Sequence, residues 1–312
     1  MTTDSIQQIQ ASTGITFIER GWLSANNILI RGDGPTALVD SGYWTHAPQT
    51  LALVDEASHG QGLDLLLNTH LHSDHCGGNA ALQHAHSRMR TLIPPGLAPV
   101  VERWDPVALT YEPTGQHCPQ FRHDELLQPG ESIQLGALEW QIHGAKGHDP
   151  HSIVLFQPQH RVLISADALW ENGFGVVFPE LEGIDAFDEV EETLGIIESL
   201  APRLVLPGHG RPFSDLASAL KRAHSRLSQF RADPSKHQRH AWKVLIKYKL
   251  LEWQQIELSK LLTWACNTPY LARAMPSGGD NPDAAMQWLA PLLADLVKAN
   301  AATIEGNSVV NV

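Results

Sequence analysis

Through the first 212 residues, apolar positions fall in short runs separated by turn residues, and helical periodicity enters only between some of them. Ile28–Ile30 and Ala37–Val39 read as strands around the turn Arg31-Gly32-Asp33-Gly34-Pro35. Leu65–Leu67 is a further strand, and Gly77-Gly78 opens a helical stretch from Asn79 to Arg88. Ser132–Leu135 and Leu138–Ile142 flank Gly136-Ala137 as a hairpin, and Ile153–Phe156 and Val162–Ile164 form a second pair. Val190, Leu194, Ile197 and Leu200 mark one face of a helix over Asp188–Leu200, followed by the strand Leu204–Leu206. Hairpins first and strand–helix–strand units later predict a mixed α/β or α+β sandwich. Residues 93–130 break the rhythm with prolines and polar residues and read as a long irregular connection, a binding loop or lid being the functional version of the same reading.

After Pro212 the pattern turns helical, which places a domain boundary there: 1–212 as one domain and 213–312 as a second, mainly helical one. Asp215–Arg231, Ala241–Leu251 and Ile256–Cys266 are three helices. Met286, Leu289, Leu292, Leu293, Leu296 and Val297 give the apolar stripe of a fourth. Ala302–Ile304 and Ser308–Val310 form a terminal hairpin, so the tail reads as winged-helix-like.

Charge sharpens the division. Residues 1–212 hold 10 Lys+Arg against 26 Asp+Glu, whereas 213–312 hold 12 against 8. An acidic first half disfavours a long polyanion as its ligand, so a small-molecule substrate is expected and nucleic acid is not. Cys76, Cys118 and Cys266 are too few and too scattered for a disulfide framework. No apolar run approaches the roughly 20 residues of a membrane span, and the first residues lack a signal-peptide pattern. A cytoplasmic protein without membrane contact is expected, with a homodimer through the apolar tail as one possible assembly.

The chemistry concentrates in Thr69-His70-Leu71-His72-Ser73-Asp74-His75-Cys76-Gly77-Gly78. In extended chain His70 and His72 project to one side, and Asp74 and His75 follow on the turn. Three imidazoles and a carboxylate so close together suit a borderline divalent metal such as zinc. Gly147-His148, Ala166-Asp167 and Gly208-His209 each follow a predicted strand, where a layered scaffold can aim loops at one edge.

This segment resembles the HxHxDH signature of the metallo-β-lactamase superfamily, which includes glyoxalase II, lactonases and ribonuclease-like members. The resemblance covers roughly residues 15–212 and implies the four-layer αββα sandwich of that family, an α+β fold. It further implies that His70, His72 and His148 hold one metal, that Asp74, His75 and His209 hold a second, and that Asp167 bridges them. Two divalent ions follow, zinc first, with manganese and iron able to use the same ligands. Their shared hydroxide would attack the substrate, with Asp74 orienting it as the catalytic residue. The resemblance also excludes relatives. Diiron flavoproteins usually carry glutamate where His72 stands, and the zinc β-lactamases of resistance carry cysteine where Asp167 stands and lack the His75 ligand. Asp40, in Asp40-Ser41-Gly42, matches the family's Asp-x-Gly turn beneath the metals. Lys146 and His151 depart from its usual pattern around His148. Trp170 through Pro179 could line the mouth of the site. Cys76 reads as a packed side chain.

The expected activity is hydrolysis of a small ester, thioester or lactone. An endoribonuclease is the alternative, suggested by the tail and by Lys243, Lys247 and Lys249 within it; a mononuclear iron persulfide dioxygenase ranks third.

Overall fold

The computed structural model describes residue 9 and residues 11–312, the side chain of Ser277 aside. Eleven strands build two sheets. The first joins β1 (Ile15–Ile18), β2 (Asn27–Ile30), β3 (Ala37–Val39), β4 (Leu65–Leu67), β5 (Arg90–Ile93) and β6 (Glu125–Leu126) in chain order. Pairing is antiparallel as far as β3 and parallel from β3 to β6. The second runs β11 (Leu204–Pro207), β10 (Val162–Ala166), β9 (Ile153–Gln157), β8 (Leu138–Gly144), β7 (Ser132–Leu135), with only β10–β11 parallel.

The side chains sort themselves into layers by the two-residue period of a strand. Leu65 and Leu67 of β4 join Ile28, Ile30, Val39, Trp140, Ile142, Leu155, Ile164 and Leu206 in the core between the sheets. Leu66 points the other way, with Leu29 and Leu38, against Val54 of helix Ala47–Ser58 and Leu82 of helix Asn79–Ala85. On the outer face of the second sheet, Val154, Phe156, Leu163 and Val205 meet Val190, Leu194 and Ile197 of helix Phe187–Leu200 and Ala219, Ala223 and Leu227 of helix Leu216–Ala232. Helices, sheet, sheet, helices: the expected four layers are present. Strands covered on both faces carry continuous apolar runs rather than alternation.

Three expectations need correction. The boundary expected after Pro212 falls instead after Ala232, because helix Leu216–Ala232 buries its apolar face in the sandwich core. Residues 93–130 are not one irregular connection: they hold helix Ala98–Arg103 and strand β6, and residues 106–117 group with the second compact unit. There, Pro113 O accepts a hydrogen bond from Tyr270 N at 3.1 Å. Finally, the helix expected from Ile256 begins at Leu258, because Gln255–Glu257 is a strand (β12).

The second unit comprises 106–117 and 233–312. Helix Pro234–Trp253 leads through β12 to helix Leu258–Asn267, and helix Pro282–Lys298 leads to the predicted hairpin, β13 (Ala302–Glu305) and β14 (Ser308–Asn311). β14 pairs antiparallel with both β12 and β13. His237 of the first helix is 1% exposed, and burial followed by the charge of His240 pushes it down to about 4. Its folded pKa lies below the unfolded 6.5, so the folded protein takes up fewer protons and this stabilisation is present above about pH 6.5. It is lost as pH falls towards 4, amounting to about 2 kcal/mol by pH 5. Denaturant unfolding at pH 7 and pH 5 should therefore show a smaller loss in His237→Gln than in the wild type.

Candidate metal centre

Strand ends deliver every residue of the site. β4 feeds Thr69, His70 and His72 and then the short helix Ser73–Cys76, which carries Asp74 and His75. His148 lies beyond β8, Asp167 directly beyond β10 and His209 two residues beyond β11. At the last turn, a side chain on residue 208 would place its Cβ 2.3 Å from Asp167 Oδ1, so glycine is needed there.

All seven residues predicted as ligands come together. His72 Nδ1 lies 2.9 Å from His148 Nε2 and 3.1 Å from His70 Nε2, and His148 Nε2 lies 3.2 Å from His70 Nε2. Neighbouring contacts set the tautomers. His148 Nδ1 donates to Val176 O at 2.5 Å, and His72 Nε2 faces Asp149 Oδ2 at 3.7 Å. Three bare nitrogen lone pairs then converge, a repulsive arrangement unless a cation lies between them. Their separations approach the roughly 3.3 Å expected for nitrogens about 2.05 Å from one tetrahedral ion.

The second group is Asp74, His75 and His209, with donor atoms within 4.8 Å of one another. His209 Nε2 lies 3.1 Å from Asp74 Oδ2, and His75 Nε2 lies 3.8 Å from the same oxygen. His75 Nε2 is a buried nitrogen with no hydrogen-bond partner, 3.5 Å from Asp167 Oδ1. An orphaned buried nitrogen facing carboxylates fits a metal ligand, since a buried polar atom otherwise finds a partner. Asp167 Oδ2 lies 3.5 Å from His148 Nε2 and 3.8 Å from His209 Nε2, one ring from each triad. That position between the groups suits a bridge.

The electrostatics keep His70, His72, Asp74 and Asp167 in ligating form. Burial, then the neighbouring rings, lowers His70 well below its ordinary value; burial, then His148, lowers His72 to about 4. Both remain neutral at physiological pH. Burial alone would raise Asp167, but His209, His75 and His148 together outweigh it and hold the carboxyl well below the usual range. Asp74 is likewise lowered, burial being outweighed by His75 and His209. For His75, burial lowers and the carboxylates of Asp40, Asp167 and Asp74 more than reverse it, leaving the ring raised well above 6.5. These carboxylates favour a positive charge at Nε2, where a metal would take the place of the proton.

Asp40 sits beneath the cluster at φ 59°, a left-handed conformation unusual for a residue with a side chain. Its Oδ1 accepts from Thr69 N at 2.9 Å, and its Oδ2 accepts from Thr69 Oγ1 at 2.8 Å and from His75 Nδ1 at 2.7 Å. It therefore fixes the His75 ring with Nε2 towards the site. Asp40→Asn should lower metal affinity about 10- to 100-fold, read by competition with a chromophoric chelator.

Two neighbours escaped the sequence. Asp149, buried and facing His72, follows His148 directly, so adjacency was its only signal. Trp22 stacks on the His209 ring with centroids 5.2 Å apart and planes 5° apart; nothing in a Gly-Trp-Leu turn foretold it. Trp170, expected near the mouth, donates from Nε1 to Asp167 Oδ1 at 3.2 Å, and Phe178 packs edge-on to His72 and His148. His151 lies over Gly96 rather than among the ligands. Cys76 is buried, its sulfur 3.8 Å from that of Cys118. Among the described residues, His84, His86, His117, His123, His237 and His240 join no such cluster.

A sequence profile described as the Metallo-beta-lactamase superfamily matches residues 20–209. Among curated proteins, a hydroxyacylglutathione hydrolase of Anaeromyxobacter dehalogenans is 32% identical over 193 residues, 62% of this chain and 64% of that protein. An acyl-coenzyme A thioesterase of Gallus gallus is 27% identical over 208 residues, 61% of this chain and 73% of that one. The chain thus spans under two thirds of the length of the first of these relatives. Among solved structures, a metallo-beta-lactamase family protein of Thermus thermophilus superposes with a TM-score of 0.56 at 18% identity, covering 96% of this chain and 99% of the other. TTHA1623, solved in a di-iron-bound form, gives a TM-score of 0.54 at 25% identity over 67% of this chain and 98% of its own.

Proposed function

The chain belongs to the metallo-beta-lactamase superfamily, and from that premise we propose that it is a dinuclear metal-dependent hydrolase of a small ester, thioester or lactone. The observation that carries the reading is the meeting of seven ligand-type side chains, with Asp167 between two triads. His70, His72 and His148 would hold one divalent ion and Asp74, His75 and His209 the other, zinc being the first candidate and iron or manganese the alternatives. Bound there, the pair would lower the pKa of a shared water towards neutrality and neutralise charge developing on the substrate oxygen. Asp74, held as a carboxylate by His75 and His209, would accept a hydrogen bond from that water and so aim its lone pair. Asp40 and Asp149 keep the rings of His75 and His72 turned inward.

The relatives named for thioester hydrolysis support the substrate class. Helices with a small antiparallel sheet are in keeping with a winged-helix-like second unit, the feature that suggested RNA. Its lysines, however, are engaged. Lys243 pairs with Asp295 at 3.1 Å, Lys247 donates to Ala301 O, Asn311 Oδ1 and Val312 O, and Lys249 is buried against Glu252. Those three lysines are therefore poor anchors for a phosphate backbone. The Asp and His set complete for two metals also weighs against a one-iron dioxygenase. Three free cysteines fit a reducing compartment.

The test is a panel of thioesters, esters and lactones alongside single-stranded RNA, with protein loaded in turn with zinc, manganese and iron. Turnover of thioesters or esters with RNA left intact is expected; RNA cleavage with every acyl substrate untouched would overturn the proposal.

A further inference from the structure

Trp22 is 55% exposed although one face of its indole lies against the His209 ring. Trp170 meets Trp22 edge-on at 5.4 Å between centroids and His209 edge-on at 5.5 Å. On the other triad Phe178 approaches His72 at 4.7 Å and His148 at 5.6 Å. The ligands His70, His75, His148, Asp167 and His209 are buried, whereas His72, Asp74, Trp170 and Phe178 keep partial exposure and Trp22 is open. Three aromatic rings therefore border the accessible part of the donor cluster. A single exposed aromatic needs no explanation. One whose orientation is fixed by stacking on a proposed ligand, with its other face open, is a preformed apolar surface beside the reacting centre.

We infer that Trp22, supported by Trp170, forms an apolar acyl subsite, so that the preferred substrates carry an extended hydrocarbon acyl group rather than acetyl or a charged group. This rests on the hydrolase reading above and narrows its substrate. Seated on Trp22, the acyl chain would lie beside His209 with its carbonyl carbon over the space between the triads. The acyl carbon–sulfur bond is broken by water, giving a carboxylate and a thiol, and the chain's contact with the indole positions the carbonyl without taking part in bond cleavage.

The experiment uses N-acetylcysteamine thioesters from acetyl to octanoyl with the metal-loaded full chain. In the wild type, kcat/KM should rise about threefold per methylene from acetyl to hexanoyl, the scale set by burying a methylene. Trp22→Ala should flatten that rise to less than twofold per methylene, with Trp22→Phe in between. Ile196→Ala, an exposed apolar residue on helix Phe187–Leu200, should leave the slope unaltered. Inhibition by the product carboxylates gives a binding readout independent of turnover: octanoate should outcompete butyrate by 10-fold or more, and Trp22→Ala should erase most of that difference. Metal content is measured for each variant, so a loss of slope with unchanged metal assigns the effect to the subsite. A flat series in the wild type, or a slope that survives Trp22→Ala, overturns the inference while leaving the hydrolase reading intact. No turnover of any acyl substrate would overturn that reading first.

Discussion

Asp167→Ala is expected to lower kcat/KM for a thioester by about 10³-fold or more, and to do so with the fold retained. Asp167 lies between the triads, with Oδ2 facing His148 and His209 and Oδ1 held by Trp170. Alanine leaves each triad its own three donors but removes the group positioned to join them. Lewis-acid stabilisation from a correctly placed ion amounts to several kcal/mol, and about 4 kcal/mol corresponds to roughly 10³ in rate. Asp167→Asn separates charge from shape. It keeps the volume beside Gly208 but not the second negative oxygen, and it should lose nearly as much activity. Steady-state kinetics with circular dichroism as a folding control decide the matter. An Asp167→Ala protein within 10-fold of wild type would mean that the carboxylate has no part in the chemistry.

The second large effect is on stability. Stripping metal with a chelator should lower Tm by about 10 °C, and stoichiometric zinc should restore it. Binding at 1,000 times Kd contributes about 4 kcal/mol, and each kcal/mol moves Tm by about 2–4 °C in a unit of this size. The structure gives the reason: without a cation, three lone pairs converge within 3.2 Å and His75 Nε2 is buried without a partner. His72→Ala should show a smaller shift than the wild type, measured by scanning calorimetry with and without chelator. A Tm indifferent to chelation in the wild type would argue that the cluster is stable by itself.

Much of this was legible because chemistry and pattern coincide in the sequence. His70, His72, Asp74 and His75 are near neighbours. Asp167 and His209 follow strands whose apolar runs are unbroken because they are covered on both faces, and His148 follows β8, where apolar and polar residues alternate. What stayed hidden depends on tertiary contacts. β1 and β6 are short edge strands, and β12 exists only by pairing with β14 at the far end of the chain. Helix Leu216–Ala232 has the same amphipathic signature whichever unit it packs against, so only the structure could assign it to the sandwich. Residues 106–117 join the second unit through contacts such as Tyr270 to Pro113, across more than 150 residues of chain. Trp22 carries no local sign of a role because its partner, His209, lies at the other end of the sandwich sequence.

The most direct measurement is the metal content of the purified chain, by inductively coupled plasma mass spectrometry after loading and dialysis. Two ions per chain are predicted, falling to about one in His209→Ala. A wild-type protein that retains one ion or none, with His209→Ala no different, would contradict the dinuclear centre.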